Sequence, residues 1–529
     1  MKKAIQQYGA LLLVLILVSG VCLLFSLRKS GMFIDEIYTY GLSNSHFAPY
    51  VNNIHGGDSF VDDTLTRGEL LSYLVVDPGE DFDFASVVYN QAADVHPPLY
   101  YWLFNAVSSL TPNTLSKWTG LALDYVIYMV CLLLLFALAR ALGLSPTPAA
   151  AVTALYGLSV TGLSTMLMIR MYVLMTALTV ALALLVVRLM RGGRRADYVS
   201  VGLVIFLGLM TQYYFVFYAF FLCAAYVFYC LGTRRWKSMA AFAVCAFLGV
   251  GGLLLAFPQC LQQLTADKLV SGGSAMENLL DLSQYPRRLI SYFGDLRHGL
   301  KAAATAGIAL LLPLLFAGKR LRRLRQDGRL ELGPWLVVLL PLLPTFLLVA
   351  ILSPVLDQRY MYNLGPILCL AAGLPLLLLE RCFADLPRLP WLRALLCAGL
   401  VAWALHLAHY NPPLYLYPEY RDYDALVESC ADDPCVYMTA NYFAPVTQDL
   451  LQLLAFDEVF FTGDPASPAL ARYLAARGGE ECVVYIDVSK YWSSGFDPEE
   501  MLPALLENTP YTSSSLLYAN GLSRTYVLR

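Results

Sequence analysis

The chain has 529 residues, of which 58% are hydrophobic and only 14% are charged, and its formal net charge is −3. Soluble proteins carry nearer a quarter of charged residues, so this composition excludes an ordinary soluble enzyme. The basic runs are short and lie beside apolar segments, a pattern that excludes nucleic acid as a partner.

The first predicted element is an apolar helix from Ala10 to Leu27, preceded by Lys2 and Lys3. Its length, and the lack of an Ala-x-Ala site after it, favour a retained membrane helix over a cleaved signal peptide. Because the positive-inside rule keeps the two lysines in the cytoplasm, the following segment, 28–117, is predicted to lie outside.

This outer segment carries unusual polar residues at both of its ends. Asp35-Glu36 follows the first apolar helix, and Asp94 precedes the motif His96-Pro97-Pro98-Leu99-Tyr100-Tyr101, where the chain re-enters the bilayer. Adjacent carboxylates at a membrane boundary are costly to desolvate, and a Pro-Pro turn holds an imidazole rigidly. The pattern predicts acid–base or phosphate chemistry at the outer surface. The structural alternatives are that Asp35 and Glu36 cap an interfacial helix and that His96 fixes the turn.

Ten further apolar segments of about twenty residues predict a polytopic α-helical membrane protein with about eleven spans. They cover residues 118–139, 148–168, 172–190, 197–214, 216–232, 238–257, 302–318, 333–352, 361–380 and 391–409. Alternation of sides then places nearly every basic cluster in the cytoplasm, as the positive-inside rule requires. These clusters are Arg140, Arg191 with Arg194 and Arg195, Arg234 with Arg235 and Lys237, and the run from Lys319 to Arg325.

Two arginines fall on the opposite, outer side in very short turns. Arg170 precedes Tyr172 between the third and fourth predicted spans, and Arg359 precedes Tyr360 just before the tenth. A guanidinium stays charged and offers a planar fork of donors, so these positions suit a phosphate. The alternative is that both arginines snorkel to the interface, as arginines near helix ends often do.

Residues 1–410, including the outer segment 28–117, are therefore predicted to form a membrane domain, and residues 411–529 a separate outer domain. From Glu419 to Arg529 there are seventeen Asp and Glu against six Lys and Arg, which excludes this region from the membrane. Strand-like runs alternate with helix-like stretches, so a small α/β fold is predicted. Cys430 and Cys435 either pair outside the cell or remain inert thiols.

The polar motifs together resemble the GT-C superfamily of membrane glycosyltransferases. The closest resemblance is to family 39 and its relatives, which include protein O-mannosyltransferases and aminoarabinose transferases. It is carried by Asp35-Glu36, by the His96 motif, by Arg170-Met171-Tyr172 and by Arg359-Tyr360 followed by Pro366. The chain has His96 where aminoarabinose transferases have Lys, which disfavours that substrate. The C-terminal domain is unlike the insert of the eukaryotic protein mannosyltransferases, which places a protein acceptor in doubt.

The resemblance implies transfer of a sugar from a polyprenyl-phosphate donor to a glycan, lipid or protein acceptor at the outer face of the cell membrane. It makes Asp35 the catalytic base, with Glu36, Asp94 and His96 around it and Arg170, Tyr172, Arg359 and Tyr360 at the donor phosphate. No cofactor is required, although Mg or Mn bound by Asp35, Glu36 and Asp94 remains an alternative. The competing function is a flippase or transporter of the same lipid; transporters usually place charge near the bilayer midplane and show repeats, whereas this chain places it in outer loops.

Overall fold

The structure is a computed structural model that describes residues 2–57, 62–265, 272–327, 330–384, 389–439, 443–489 and 495–529. The chain divides into two compact units. We call Met1–Leu27, Val95–Tyr100 and Leu121–Leu414 the helical unit, and Arg28–Asp94, Tyr101–Gly120 and Tyr415–Arg529 the sheet unit. Most of the outer segment 28–117 therefore groups with the C-terminal residues, whereas the sequence had placed it with the spans.

Helices dominate the part of the chain that the structure describes. The first thirteen are α1 Lys2–Arg28, α2 Ile34–Asn44, α3 Arg67–Leu74, α4 Phe84–Ala93, α5 Leu99–Ser108, α6 Lys117–Ala141, α7 Pro146–Gly157, α8 Val160–Leu167, α9 Tyr172–Met190, α10 Arg195–Leu209, α11 Phe215–Gly232, α12 Trp236–Ala256 and α13 Cys260–Thr265. The remaining thirteen are α14 Gly272–Leu280, α15 Tyr285–Gly299, α16 Lys301–Leu315, α17 Gly318–Gln326, α18 Gly333–Leu339, α19 Leu342–Leu352, α20 Gly365–Ala371, α21 Gly373–Cys382, α22 Leu389–Tyr410, α23 Tyr420–Glu428, α24 Phe443–Leu453, α25 Pro468–Arg477 and α26 Pro498–Asn508. Short 3-10 helices cover Val51–Asn53, Leu282–Gln284 and Gln358–Leu364.

Within the described residues, eight helical stretches are long and apolar enough to cross a membrane, and two bent helix pairs raise the number to ten. The pairs are Pro146–Gly157 with Val160–Leu167, bent by 61°, and Leu282–Gly299 with Lys301–Leu315, bent by 81°. The first bend has a local cause, because the Ser159 hydroxyl accepts the Gly162 N–H at 2.9 Å and starts a new helix. The predicted polytopic helical class is confirmed.

The predicted α/β fold of the C-terminal region is also found, and one of its strands comes from the outer segment. The sheet has the order β1-β3-β2-β4-β6-β5, with β2, β3 and β4 mutually parallel and the other pairings antiparallel. Its strands are β1 Asp63–Thr66, β2 Cys435–Met438, β3 Glu458–Thr462, β4 Cys482–Asp487, β5 Ser514–Ala519 and β6 Ser523–Leu528. Cys430 and Cys435 are both buried and are not joined to each other.

One face of this sheet buries tyrosines together with a carboxylate. Tyr437 stacks on Tyr485 with ring centroids 5.5 Å apart, and its hydroxyl donates to Asp449 on α24 at 2.8 Å. The Asn520 amide donates to the other Asp449 oxygen at 2.6 Å. Burial raises the pKa of Asp449 to about 6, although these hydrogen bonds oppose the rise.

The pairing of β1 with β3 restricts how often the chain crosses the membrane. Two strands of one sheet lie on the same side of a bilayer, so an even number of spans must separate Thr66 from Glu458. Among the described residues, the candidate spans between them are seven single stretches and two bent pairs, an odd total of nine. We infer a tenth crossing through α10, at the span predicted for 197–214. This crossing makes the count even and keeps Arg235 on the same side as Arg191, as the positive-inside rule requires.

α10 has only 15 residues, so its helix rises about 22 Å against a hydrocarbon core of about 30 Å. The chain continues beyond it as Met210-Thr211-Gln212, and all three residues are buried. Non-helical backbone is tolerated at membrane depth where it is buried in protein. The Met210 carbonyl accepts the Leu99 N–H at 3.0 Å, which satisfies one of these backbone groups.

Candidate active site

The carboxylate pair lies in the first turn of α2, within the sheet unit, and its two members differ in environment. Glu36 accepts hydrogen bonds from Lys29 Nζ at 2.9 Å and from the Phe33 N–H at 2.6 Å, and the side chains of Lys29 and Glu36 are fully buried. Asp35 is partly exposed. The structural alternative of helix capping therefore holds for Glu36, and Asp35 is the more exposed carboxylate of the pair.

Lys29 also ties the start of α2 to the C-terminal part of the sheet unit. Its ammonium donates to the Tyr415 carbonyl at 2.7 Å, and the Ser30 N–H donates to the Leu416 carbonyl at 2.8 Å. The ring of Phe33 stacks on that of Tyr417 with centroids 6.5 Å apart. These contacts fix the backbone from which Asp35 projects.

Asp94 and His96 lie close in sequence but fall in different units. Asp94 ends α4, where its N–H donates to the Asn90 carbonyl at 3.2 Å, and it is partly exposed. His96 is also partly exposed, whereas Pro97 and Pro98 after it are buried. The rigid turn that the sequence predicted before α5 is present, with its imidazole at the boundary of the buried prolines.

The turn is anchored by an acid that sequence reasoning missed. The Tyr100 hydroxyl donates to Asp124 Oδ1 at 2.7 Å, and both side chains are fully buried. Asp124 lies in α6, inside a predicted span, where an ionisable side chain is rare and usually has a defined partner. Its position within an apolar run was the signal that could have identified it.

Arg170 and Arg359 are both buried in the helical unit. Arg170 lies in the turn between α8 and α9 and is 3% exposed, and Arg359 lies in the 3-10 helix Gln358–Leu364 and is 9% exposed. The Nε of Arg359 is 3.7 Å from an Asp357 carboxylate oxygen. Side chains that snorkel keep their charged heads in water, so this burial argues against the snorkelling alternative.

Aromatic contacts bring these two arginine-bearing segments together. The rings of Tyr172 and Tyr360 meet edge to face with centroids 6.5 Å apart, and Tyr214 lies 4.7 Å from Tyr360. The Arg359 guanidinium lies 5.5 Å from the centroid of Tyr360. Three of the predicted donor-phosphate residues, Tyr172, Arg359 and Tyr360, are thus joined by contacts. The fourth, Arg170, lies two residues before Tyr172 and is buried in the same unit.

A further arginine supports this group from α15. Arg288 Nε donates to the Ala350 carbonyl at 2.7 Å, and Arg288 Nη2 donates to Ser353 Oγ at 2.6 Å. Tyr292 donates to the same hydroxyl at 2.7 Å and accepts the Asp357 N–H at 3.4 Å. Arg288 therefore fixes the backbone that leads to Arg359. This role could not be predicted, because the acceptors of Arg288 are mostly backbone carbonyls of a distant segment.

The metal alternative receives no support from this geometry. Among the residues that the structure describes, no group of three or more His, Cys, Asp or Glu side chains is arranged to hold a metal ion. Glu36, one of the three proposed ligands, is engaged by Lys29.

Comparison with known proteins agrees with the resemblance drawn from the motifs. Residues 95–260 match the family model described as dolichyl-phosphate-mannose-protein mannosyltransferase. This match includes His96, Asp124, Arg170 and Tyr172. No curated protein matches the chain at the sequence level.

Solved structures match over nearly the whole chain. The crystal structure of ArnT from Cupriavidus metallidurans bound to undecaprenyl phosphate is 11% identical, with 98% of each chain covered and a TM-score of 0.51. The oligosaccharyltransferase AglB from Archaeoglobus fulgidus, in complex with an inhibitory peptide and a dolichol-phosphate, is 11% identical, with 94% of this chain and 72% of that chain covered and a TM-score of 0.45. The match to ArnT confirms the predicted fold, and the small C-terminal α/β region is present in the sheet unit.

Proposed function

We propose that this chain is a multi-pass membrane glycosyltransferase that moves a sugar from a polyprenyl-phosphate donor to an acceptor hydroxyl outside the cytoplasm. The observation that carries the proposal is the pair of buried arginines, Arg170 and Arg359, whose segments pack together through Tyr172 and Tyr360. A guanidinium stays charged and presents a planar fork of donors that matches the oxygens of a phosphate. The polyprenyl phosphates named for the matched family and for the bound ArnT structure are chemically consistent with this partner.

The chemistry requires one base and stabilisation of one leaving group. The acceptor oxygen forms a bond to the anomeric carbon of the sugar while the bond from that carbon to the phosphate oxygen breaks. The polyprenyl phosphate leaves with the electron pair, its negative charge stabilised by Arg170 and Arg359. The acceptor proton passes to Asp35 as general base. A single displacement of this kind inverts the configuration at the anomeric carbon.

The decisive experiment incubates the purified full-length protein with a panel of polyprenyl-phosphate sugars and measures the release of free polyprenyl phosphate. We expect release from at least one donor, and faster release when an acceptor is added. A protein that instead moves intact donor between the leaflets of a vesicle without releasing it would be a flippase, and the transferase proposal would fail.

We expect Arg170→Ala and Arg359→Ala each to weaken donor binding by about tenfold or more, because each removes a charge-assisted contact to the phosphate. Lys at either position should restore binding only in part, since an ammonium lacks the planar fork. The measurement is the Kd for a fluorescent polyprenyl-phosphate sugar. Arg195→Ala, which removes an exposed arginine at the start of α10, is the matched control. Unchanged donor affinity in both Ala variants would contradict the assignment.

The proposal also requires the first outer segment and the C-terminal region to face the outside. We expect a membrane-impermeant thiol reagent to label Asp81→Cys and Glu507→Cys on intact cells, and to label Ala196→Cys only after the membrane is opened. All three positions are exposed. Ten of the twelve native cysteines are buried, so the background is limited to Cys223 and Cys245. Labelling of Ala196→Cys on intact cells would invert the topology and remove the proposed function.

A further inference from the structure

The sheet unit contains an open cleft of about 470 Å³, which lies within the range of about 300–1,000 Å³ typical of small-molecule sites. Its walls are largely aromatic, formed by Phe47, Tyr50, Tyr89 and Phe443. The rest of the described lining is Asn52, Asn53, Gly56 and Gly57, with the small apolar residues Pro49 and Ala93. None of the described residues that line it carries a formal charge.

Two of these aromatic side chains are exposed to solvent. Tyr89 is 53% exposed and Phe47 is 44% exposed, and their rings meet edge to face with centroids 5.3 Å apart. Phe47 has a φ of +49°, a left-handed conformation that disfavours residues with a side chain. A hydrogen bond of 2.8 Å from its N–H to Ser86 Oγ holds it there. Strained backbone that presents an apolar ring to water is typical of a binding site.

The other two aromatic rings of the lining stack on each other. Tyr50 and Phe443 lie nearly parallel, with centroids 4.0 Å apart and an interplanar angle of 15°. The Asn53 amide oxygen accepts the Tyr50 N–H at 3.1 Å, and its amide nitrogen donates to the Gly57 carbonyl at 3.0 Å. These bonds order the polar edge of the cleft before a ligand arrives, which lowers the entropic cost of binding.

The cleft is connected to Asp35 through α2. Tyr38 lies three residues after Asp35, so the two side chains share a helix face with Cβ atoms about 5–6 Å apart. The Tyr38 ring contacts the two stacked rings edge on, at 6.4 Å from Tyr50 and 6.1 Å from Phe443. The face of α2 that carries the proposed base therefore continues into the aromatic wall, and all of these residues belong to the sheet unit.

We propose that this cleft binds a neutral saccharide, the acceptor of the transfer reaction. Pyranose rings present C–H faces that pack against aromatic rings and hydroxyl edges that bond to amide and backbone groups, and the cleft supplies both kinds of surface. The lack of formal charge on its described lining disfavours phosphorylated or acidic ligands. Only the assignment of the bound saccharide as the acceptor rests on the proposed function. The binding of a neutral saccharide at this cleft does not depend on that function.

The test uses full-length protein in nanodiscs without any donor. Saturation-transfer difference NMR is recorded with neutral di- to tetrasaccharides of hexoses and N-acetylhexosamines, with uronate-containing oligosaccharides, and with a proline-rich peptide. We expect signals from neutral saccharides, with Phe47→Ala and Tyr89→Ala weakening the Kd by about tenfold each through loss of ring packing. Phe84→Ala, an exposed aromatic at the start of the same helix α4 and outside the cleft lining, is the matched control.

Each outcome decides the inference. Binding of a neutral saccharide that falls in Phe47→Ala and Tyr89→Ala but not in Phe84→Ala supports it. No saccharide signal above that of empty nanodiscs, equal binding in all three variants, or preference for the uronates or the peptide overturns it. Saccharide binding by a protein that releases no polyprenyl phosphate would overturn the proposed function alone, whereas transfer without saccharide binding at this cleft would overturn only the inference.

Discussion

Replacing Asp35 with Asn should lower sugar transfer by about 10²–10⁴-fold while leaving the protein folded and its donor affinity unchanged. The substitution keeps the size of the side chain but removes its capacity to take the acceptor proton. Asp35 is the partly exposed member of its carboxylate pair, since Glu36 is held by Lys29 and by the Phe33 N–H. The rate is measured as release of free polyprenyl phosphate at saturating donor and acceptor.

The matched control is Asp81→Asn, which neutralises another acid of the outer segment at an exposed position. It should leave the rate unchanged and so separate a loss of base from a change in local charge. Donor Kd and thermal unfolding are measured on both variants. If Asp35→Asn keeps more than half of the wild-type turnover, Asp35 is not the base, and Asp94 and His96 become the remaining candidates.

The membrane architecture was largely predictable because the energetics of lipid burial act on single segments. About twenty apolar residues in a row have one stable solution in a bilayer, so eight of the predicted spans correspond directly to straight helical stretches. The bends in the helix pairs and the short length of α10 were harder to predict from the sequence. The break at Ser159 depends on one capping hydrogen bond, and the length of α10 depends on tertiary burial of the residues that follow it.

Contacts between distant segments were not predictable. Nothing in Asp63–Thr66 marks it as an edge strand, because its partner lies almost 400 residues later at Glu458–Thr462. The cleft was missed for the same reason, since Phe443 reaches Tyr50 only in the folded sheet unit. For the candidate site, residue types at the membrane boundary predict roles for Asp35, Arg170 and Arg359, and these remain predictions. The ion pair of Glu36 with Lys29 could not be predicted, because the fold alone buries the two side chains together.

Glu36→Gln should destabilise the protein by about 3–5 kcal/mol, because it leaves the buried Lys29 ammonium without a counter-charge. Both side chains are fully buried and their charged atoms are 2.9 Å apart, so solvent does not screen the loss. Thermal unfolding of the full-length protein in nanodiscs measures the effect, and limited proteolysis within residues 28–57 reports it locally. Adding Lys29→Met to Glu36→Gln removes the unpaired charge and should recover part of the stability. Recovery should be incomplete, because the Tyr415 carbonyl then loses its donor.

The folded fraction of Glu36→Gln should retain transfer activity, whereas Asp35→Asn should unfold like the wild type and be inactive. A Glu36→Gln variant of normal stability and no activity would reverse the roles of the two carboxylates.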